Sequence, residues 1–114
     1  MIENADQQVL SQLTRWIRAG KKAWLATVVK TWGSSPRPVG SLLCCNEDGH
    51  VAGSLSGGCI EEDLLEKITN GELATKNPEV MLYGKTTEES ERFGLPCGGR
   101  LHIVVEPQMD KNNL

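Results

Sequence analysis

Two glycine pairs, each joined to a cysteine, restrict the fold of this chain more than any other feature. They are Ser56-Gly57-Gly58-Cys59, which leads directly into an apolar-periodic stretch from Ile60, and Cys97-Gly98-Gly99. Glycine pairs favour turns over the interiors of helices and strands. The sequence therefore predicts two turns, the first opening a helix. A helix start presents backbone N–H groups without intrahelical partners, so a cysteine there can serve as a metal ligand or a nucleophile.

Two electrostatic effects at this predicted helix start shift the pKa of the Cys59 thiol in opposite directions. The helix terminus lowers the pKa of a thiol, whereas the neighbouring carboxylates of Glu61 and Glu62 raise it. The direction of the net shift at Cys59 stays open. A second interpretation is also open, in which Cys59 is a small buried residue filling space beside a tight turn and Cys97 lies in an ordinary loop before the last strand.

Length and charge limit the class of protein. A chain of 114 residues suits one domain that buries a core, and a formal net charge of −3 without a Lys/Arg-dense face argues against nucleic acid as the main partner. The longest apolar runs, residues 23–29 and 103–105, are too short to span a membrane, and residues 1–6 do not resemble a signal peptide. We expect a cytoplasmic protein.

The four cysteines are expected to be free thiols rather than disulfides, because the start of the chain shows no export signal. They form no Cys-x-x-Cys pair, and His50 and His102 lack the spacing of a zinc site, so a structural zinc ion is not expected. Cys44 and Cys45 are neighbours in a predicted strand and point to opposite faces, so at most one of them can join a site. Both are interpreted as packing residues.

Apolar periodicity and turn residues predict two main helices, several strands and a β-hairpin with an Asp-Gly turn. The resulting fold is an α+β (mixed α/β) domain of two layers, with a mixed sheet. We expect the domain to span residues 1–107 and residues 108–114 to form a disordered tail. The predicted helices are residues 6–19 and 60–69, and the predicted strands are residues 23–31, 41–45, 51–55, 80–83 and 101–106.

The segment between Gly33 and Gly40 carries an arginine between two prolines. The prolines restrict the backbone around Arg37 and lower the entropy cost of presenting its guanidinium, which binds phosphate or carboxylate oxygens two at a time. Ser34 and Ser35 add hydroxyl donors. The segment is therefore a candidate anion-binding loop; the alternative is a rigid surface loop with a solvated arginine.

Together, three blocks in order along the chain resemble the XdhC/CoxI family, whose members are accessory proteins that mature molybdenum hydroxylases such as xanthine dehydrogenase. The blocks are Gly33-Ser34-Ser35-Pro36-Arg37-Pro38-Val39-Gly40, Gly53-Ser54-Leu55-Ser56-Gly57-Gly58-Cys59-Ile60-Glu61 and Pro96-Cys97-Gly98-Gly99-Arg100. The resemblance implies a chaperone that binds the molybdenum cofactor (molybdopterin), supports its sulfuration with a cysteine desulfurase and delivers it to a hydroxylase apoenzyme, rather than a turnover enzyme.

The resemblance also implies which residues form the site. Cys59 is the family position tied to cofactor binding, and its thiolate is a soft ligand suited to molybdenum. Backbone N–H groups near the helix start suit the phosphate of the pterin, Arg37 would neutralise that phosphate, and Cys97 is a plausible second thiol. The candidate cofactor-binding residues are Cys59, Ser56, Gly57, Gly58, Arg37, Ser34, Ser35, Cys97, Gly98 and Gly99, with Cys59 as the metal ligand.

The chain departs from the common family plan in one respect. Many members carry a C-terminal Rossmann-like domain, and this chain has no Gly-x-Gly-x-x-Gly after a strand. It is either a single-domain member or a fragment, and a separate Rossmann-domain subunit or a homodimer could complete it. Two alternative functions remain open: a sulfur-relay or redox thiol protein that uses Cys59, and a regulatory docking module without bound cofactor.

Overall fold

The computed structural model describes residues 5–32, 39–55, 59–84 and 100–108. Both predicted helices and the predicted strands are present, which confirms the α+β class. In chain order the elements are α1 (Ala5–Arg18), β1 (Ala23–Trp32), β2 (Leu42–Asn46), β3 (Val51–Gly53), α2 (Cys59–Thr69), β4 (Glu79–Tyr83) and β5 (Arg100–Gln108). Among the described residues, no helix combines the length and the apolar character needed to cross a membrane.

The five described strands form one sheet in the order β3-β2-β1-β5-β4. The long strand β1 occupies the centre and pairs with β2 on one side and β5 on the other. The sequence predicts a mixed sheet, whereas every neighbouring pair among the described strands is antiparallel. The difference arises because apolar periodicity identifies a strand and says nothing of its direction within the sheet.

The two helices cover opposite faces of this sheet. Neighbouring residues of a strand point to opposite faces, and accordingly Cys44 packs in the apolar cluster of α1, whereas Cys45 packs in the cluster of α2. The sequence predicts two layers, and the structure has a helix layer on each side of the sheet. In β1 and β2, small or apolar side chains at successive positions are buried on both faces of the sheet. The α2 cluster is the larger and includes Ile60 and Leu64, both fully buried.

The predicted β-hairpin is confirmed as β2 and β3, joined by a turn that contains Asp48 and Gly49. Asn46 is fully buried at the start of this turn, and its side-chain oxygen accepts hydrogen bonds from the backbone N–H groups of Asp48 (2.9 Å) and His50 (3.1 Å). An asparagine that bonds to the backbone two residues later stabilises a turn locally. The strand β3 ends at Gly53, which has a φ of +92°, rather than continuing to residue 55.

The last strand continues through Pro107 to Gln108, although the proline predicts its end at residue 106. The neighbouring strand β4 reaches only as far as the pair Glu79–Val105. Beyond Val105, β1 is therefore the one neighbour of β5 among the described strands, and an edge of this kind tolerates a proline that cannot donate a ladder hydrogen bond.

Candidate functional site

The ends of three strands meet at one end of the sheet. Across β1 and β5, Trp32 pairs with Arg100, and across β4 and β5, Tyr83 pairs with Leu101. Residue 33 follows Trp32 directly, and Arg100 follows Gly99 directly. The proline-containing segment and the second cysteine-glycine pair are thus both joined to the sheet at this end, which we call the site end.

The first half of α2 lies at the same end. The hydroxyl of Tyr83 donates a hydrogen bond to Oδ2 of Asp63 (2.5 Å), and Asp63 lies one helical turn after Cys59. At its other end α2 reaches the opposite end of the sheet, where Ile68 lines a cavity together with Trp24 and Pro107. The direction of α2 therefore brings its first residue toward the site end.

Of the predicted site residues, Cys59 falls within the described part of the chain, where its backbone opens α2 one residue before the predicted start. A helix start at this cysteine agrees with the sequence prediction. The other predicted site residues lie outside the described residues: Ser34, Ser35, Arg37, Ser56, Gly57, Gly58, Cys97, Gly98 and Gly99. For these, the structure describes the elements on either side.

The first turn of α2 is acidic and is tied to the preceding strand segment. Glu61 accepts a hydrogen bond from Oγ of Ser54 (3.2 Å), and Glu62 is exposed beside it. Carboxylates at a helix N-terminus interact favourably with the exposed N–H groups, and the same charges oppose a bound anion. An anionic ligand at this helix start therefore needs positive charge from neighbouring segments.

Arg100 is an exposed cation at the site end that the predicted set of site residues omits. It is the first residue of β5 and pairs across the sheet with the last residue of β1. The signal for it in the sequence is its position directly after Cys97-Gly98-Gly99. Because a guanidinium binds oxyanions two oxygens at a time, Arg100 joins Arg37 as a candidate anion-binding residue.

The two strand cysteines take no part in this site. Cys44 and Cys45 are buried on opposite faces of β2, and the Cys44 thiol donates a hydrogen bond to the carbonyl of Val9 (3.4 Å). Burial raises the pKa of the Cys44 thiol to about 11 and that of Cys45 to about 12. The prediction that both are packing residues is confirmed.

These pKa values predict that Cys44 and Cys45 resist alkylation in the folded chain. The thiolate is the reactive form, and with pKa values of about 11 and about 12 both thiols hold their protons at pH 7.5. Iodoacetamide at that pH should modify Cys59 and Cys97 and leave the strand pair intact, with the strand pair reacting only in urea. Peptide mass spectrometry of the labelled chain measures this, and rapid native labelling of Cys44 or Cys45 would contradict it.

The described residues also line a cavity away from the site end. A cavity of about 650 Å³ lies at the opposite end of the sheet, between the end of α2 and the ends of β1 and β5, and its lining includes Lys22, Lys76 and Gln108. Within the described ranges, no group of three His, Cys, Asp or Glu residues is placed to hold a metal ion.

The sequence and the fold are similar to known proteins. A model of the XdhC and CoxI family matches residues 16–84. The chain is 33% identical over 89 residues to a probable xanthine dehydrogenase subunit of Bacillus subtilis, covering 75% of this chain and 26% of that protein. It is 35% identical over 95 residues to the molybdenum cofactor insertion chaperone PaoD of Escherichia coli, covering 78% of this chain and 27% of the chaperone.

A solved structure has the same fold. The crystal structure of a xanthine dehydrogenase from Bacillus halodurans superposes with a TM-score of 0.68 at 29% sequence identity, covering 91% of this chain and 30% of that chain. This chain therefore spans about a quarter to a third of the length of these relatives.

Proposed function

Because this chain belongs to the XdhC and CoxI family, we propose that it binds the molybdenum cofactor, supports its sulfuration and delivers it to a molybdenum hydroxylase of the xanthine dehydrogenase type. The names of two relatives support this role, one as a molybdenum cofactor insertion chaperone and the other as a probable xanthine dehydrogenase subunit. In this proposal the partners are the hydroxylase apoenzyme and a cysteine desulfurase. Residues 1–107 form the cofactor-binding domain.

The observation that carries the proposal is the meeting of β1, β4, β5 and the first half of α2 at the site end. Each of the three sequence blocks is joined to one of these elements. Residues 33–40 follow β1, residues 53–61 lead into α2, and residues 96–100 lead into β5. Blocks separated by up to about sixty positions along the chain can therefore contribute to one site.

The residues of this end fit an anionic, sulfur-liganded group. The helix α2 has 11 residues, so its start provides backbone N–H donors suited to a phosphate. Cys59 at that start is a soft donor of the kind that binds a soft metal centre. Arg100 adds an exposed guanidinium at the same end, and it would offset the acidic first turn of α2.

In this arrangement Cys59 would hold the molybdenum, and the amides at Gly57 and Gly58 would bind the phosphate with Arg37 and Arg100. Ser34, Ser35, Ser56, Gly98 and Gly99 would complete the lining, with Cys97 as a second thiol. When bound, the cofactor supplies a metal centre that takes up a terminal sulfur. The protein holds and orients this group and keeps its oxidisable centre away from bulk water until transfer.

The test is the cofactor content of the purified wild-type chain. The chain is produced in cells that make molybdopterin and, in parallel, in cells blocked in pterin synthesis, and is purified without oxygen. In the protein from molybdopterin-producing cells, we expect nearly one molybdenum and one pterin per chain. Elemental mass spectrometry measures the molybdenum, and fluorescence after oxidation measures the pterin. The protein from cells blocked in pterin synthesis should contain neither. Absence of both groups from the chain made in cofactor-producing cells would contradict the proposal.

A further inference from the structure

A partly buried polar contact joins α2 to β4 close to the site end. Tyr83, the last residue of β4, is 2% exposed, and its hydroxyl donates to Oδ2 of Asp63 at 2.5 Å. The ammonium group of Lys67 donates to both oxygens of the same carboxylate, at 2.7 and 2.6 Å. The side chain of Asp63 is 11% exposed, so a nearly buried carboxylate is shared by a tyrosine and a lysine.

The contact contributes position as well as stability. A hydrogen bond to a charged group adds about 1.5–3 kcal/mol net, and phenylalanine at position 83 would fill the same space without this bond. Removing a buried carboxylate from water carries its own cost even when the charge is paired. Because a hydrogen bond is directional, the contact specifies where α2 lies along the sheet. The apolar side chains of Ile60 and Leu64 press α2 against the sheet, but apolar burial is non-directional and specifies the position of the helix along the sheet less sharply.

The contact joins the start of α2 to the end of the strand that precedes β5. Asp63 lies one turn after Cys59, and Tyr83 precedes the segment that ends in Cys97-Gly98-Gly99. A second polar contact, from Ser54 to Glu61, ties the first turn of α2 to the end of the hairpin. The first half of α2 is thus held by Ser54, directly after β3, and by Tyr83 at the end of β4.

We propose that Tyr83 and Asp63 are positioning residues that hold the start of α2, where Cys59 lies, in register with the end of β4 at the site end. This inference rests on the proposed function, because the ligand it concerns is the molybdenum cofactor. Neither residue contacts the cofactor in this proposal. Lys67 supports the pair by balancing the charge of the Asp63 carboxylate.

The test compares Tyr83→Phe with a control variant of similar stability. Anaerobic titration of the apo chain with molybdopterin released from a purified molybdenum hydroxylase measures affinity, and amide hydrogen exchange measures local protection. Tyr83→Phe is expected to weaken binding roughly tenfold, the factor that corresponds to about 1.4 kcal/mol. It is also expected to raise exchange in residues 60–64 more than in β1 or β5.

Two further variants separate positioning from general destabilisation. Gly49→Ala lies in the hairpin turn, where the added methyl group meets no atom within 4 Å, and its φ of +86° makes it moderately destabilising; it should leave the affinity unchanged. Asp63→Asn keeps an acceptor for the Tyr83 hydroxyl, so it should bind within about threefold of wild type, well below the tenfold step that 1.4 kcal/mol represents.

Equal affinities of Tyr83→Phe and Gly49→Ala would overturn the inference, as would a rise in exchange spread evenly over the whole chain. Wild-type protein that fails to bind molybdopterin contradicts the proposed function instead. In that case the exchange data still decide whether Tyr83 holds the start of α2, because this readout needs no ligand.

Discussion

The Cys59→Ala variant, made in cofactor-producing cells, is expected to be purified with less than about a tenth of the wild-type molybdenum and pterin. A loss of about 1.4 kcal/mol weakens binding tenfold, and removing the proposed metal–sulfur bond is expected to cost more than that. Cys59 opens α2, and the other described elements that meet at the site end are β1, β4 and β5. Elemental analysis and pterin fluorescence on matched preparations measure the effect.

The matched control is Cys45→Ala. It also removes one thiol, but that thiol is buried on the α2 side of β2 and has a pKa raised to about 12 by burial, so cofactor content should match wild type. Full cofactor retention by Cys59→Ala would rule out Cys59 as the metal ligand. If that variant kept the cofactor but no longer gained a sulfur atom from a desulfurase and cysteine, Cys59 would act as the sulfur carrier.

The Gly53→Ala variant is expected to have a free energy of unfolding about 2–5 kcal/mol below that of wild type. This loss is the sum of the strain of a left-handed backbone and the cost of overpacking. Gly53 has a φ of +92°, where a side chain is strained. A Cβ atom there would also fall 2.7 Å from Cγ2 of Val9 on α1, and closer still to the carbonyl oxygen of Leu42 on β2. The total free energy of unfolding of a small domain is roughly 5–15 kcal/mol. Urea unfolding followed by tryptophan fluorescence should therefore show a large decrease in the urea concentration at the midpoint of unfolding.

Gly49→Ala supplies the comparison for this prediction. Its φ of +86° is close to that of Gly53, but no atom lies within 4 Å of the added methyl group. We expect it to cost about 1–2 kcal/mol, the left-handed contribution alone. Equal losses of unfolding free energy in the two variants would contradict the close approach of α1 and β2 to Gly53.

Local features of the fold were predictable because their determinants lie within a few residues. The hairpin follows from Asp48-Gly49 between two apolar runs, and the buried Asn46 that bonds into this turn explains why the turn holds. The first helix follows from apolar side chains at helical spacing, which pack together in the α1 cluster. In each case one short segment contains both the signal and the partner.

The sheet order and the placement of the helices depend on contacts between distant segments. The pairing of Trp32 with Arg100 joins residues far apart in sequence, and no local pattern specifies it. The hydrogen bond between Tyr83 and Asp63 is similar, because each residue alone is typical of an ordinary strand or helix. Periodicity likewise identifies the apolar face of α1 but not the side of the sheet that it covers.

The sequence names a set of candidate site residues but not their arrangement. The glycine, proline and cysteine blocks restrict the backbone visibly in the sequence, so Cys59, Cys97 and Arg37 could be named from it. The strand pairing, which the sequence does not specify, shows that the elements joined to these blocks meet at one end of the sheet. Arg100 became a candidate for the same reason, since its exposure at that end is a property of β5 in the sheet.

The proposed site requires the two cysteine-glycine pairs to lie close together, and a short thiol cross-linker measures this directly. Dibromobimane is added to the native, reduced apo chain at neutral pH, where Cys44 and Cys45 are protected by burial and by pKa values of about 11 and about 12. We expect an intrachain bridge between the peptides that contain Cys59 and Cys97, detected by mass spectrometry after proteolysis. Single modification of both thiols without any bridged peptide would contradict it.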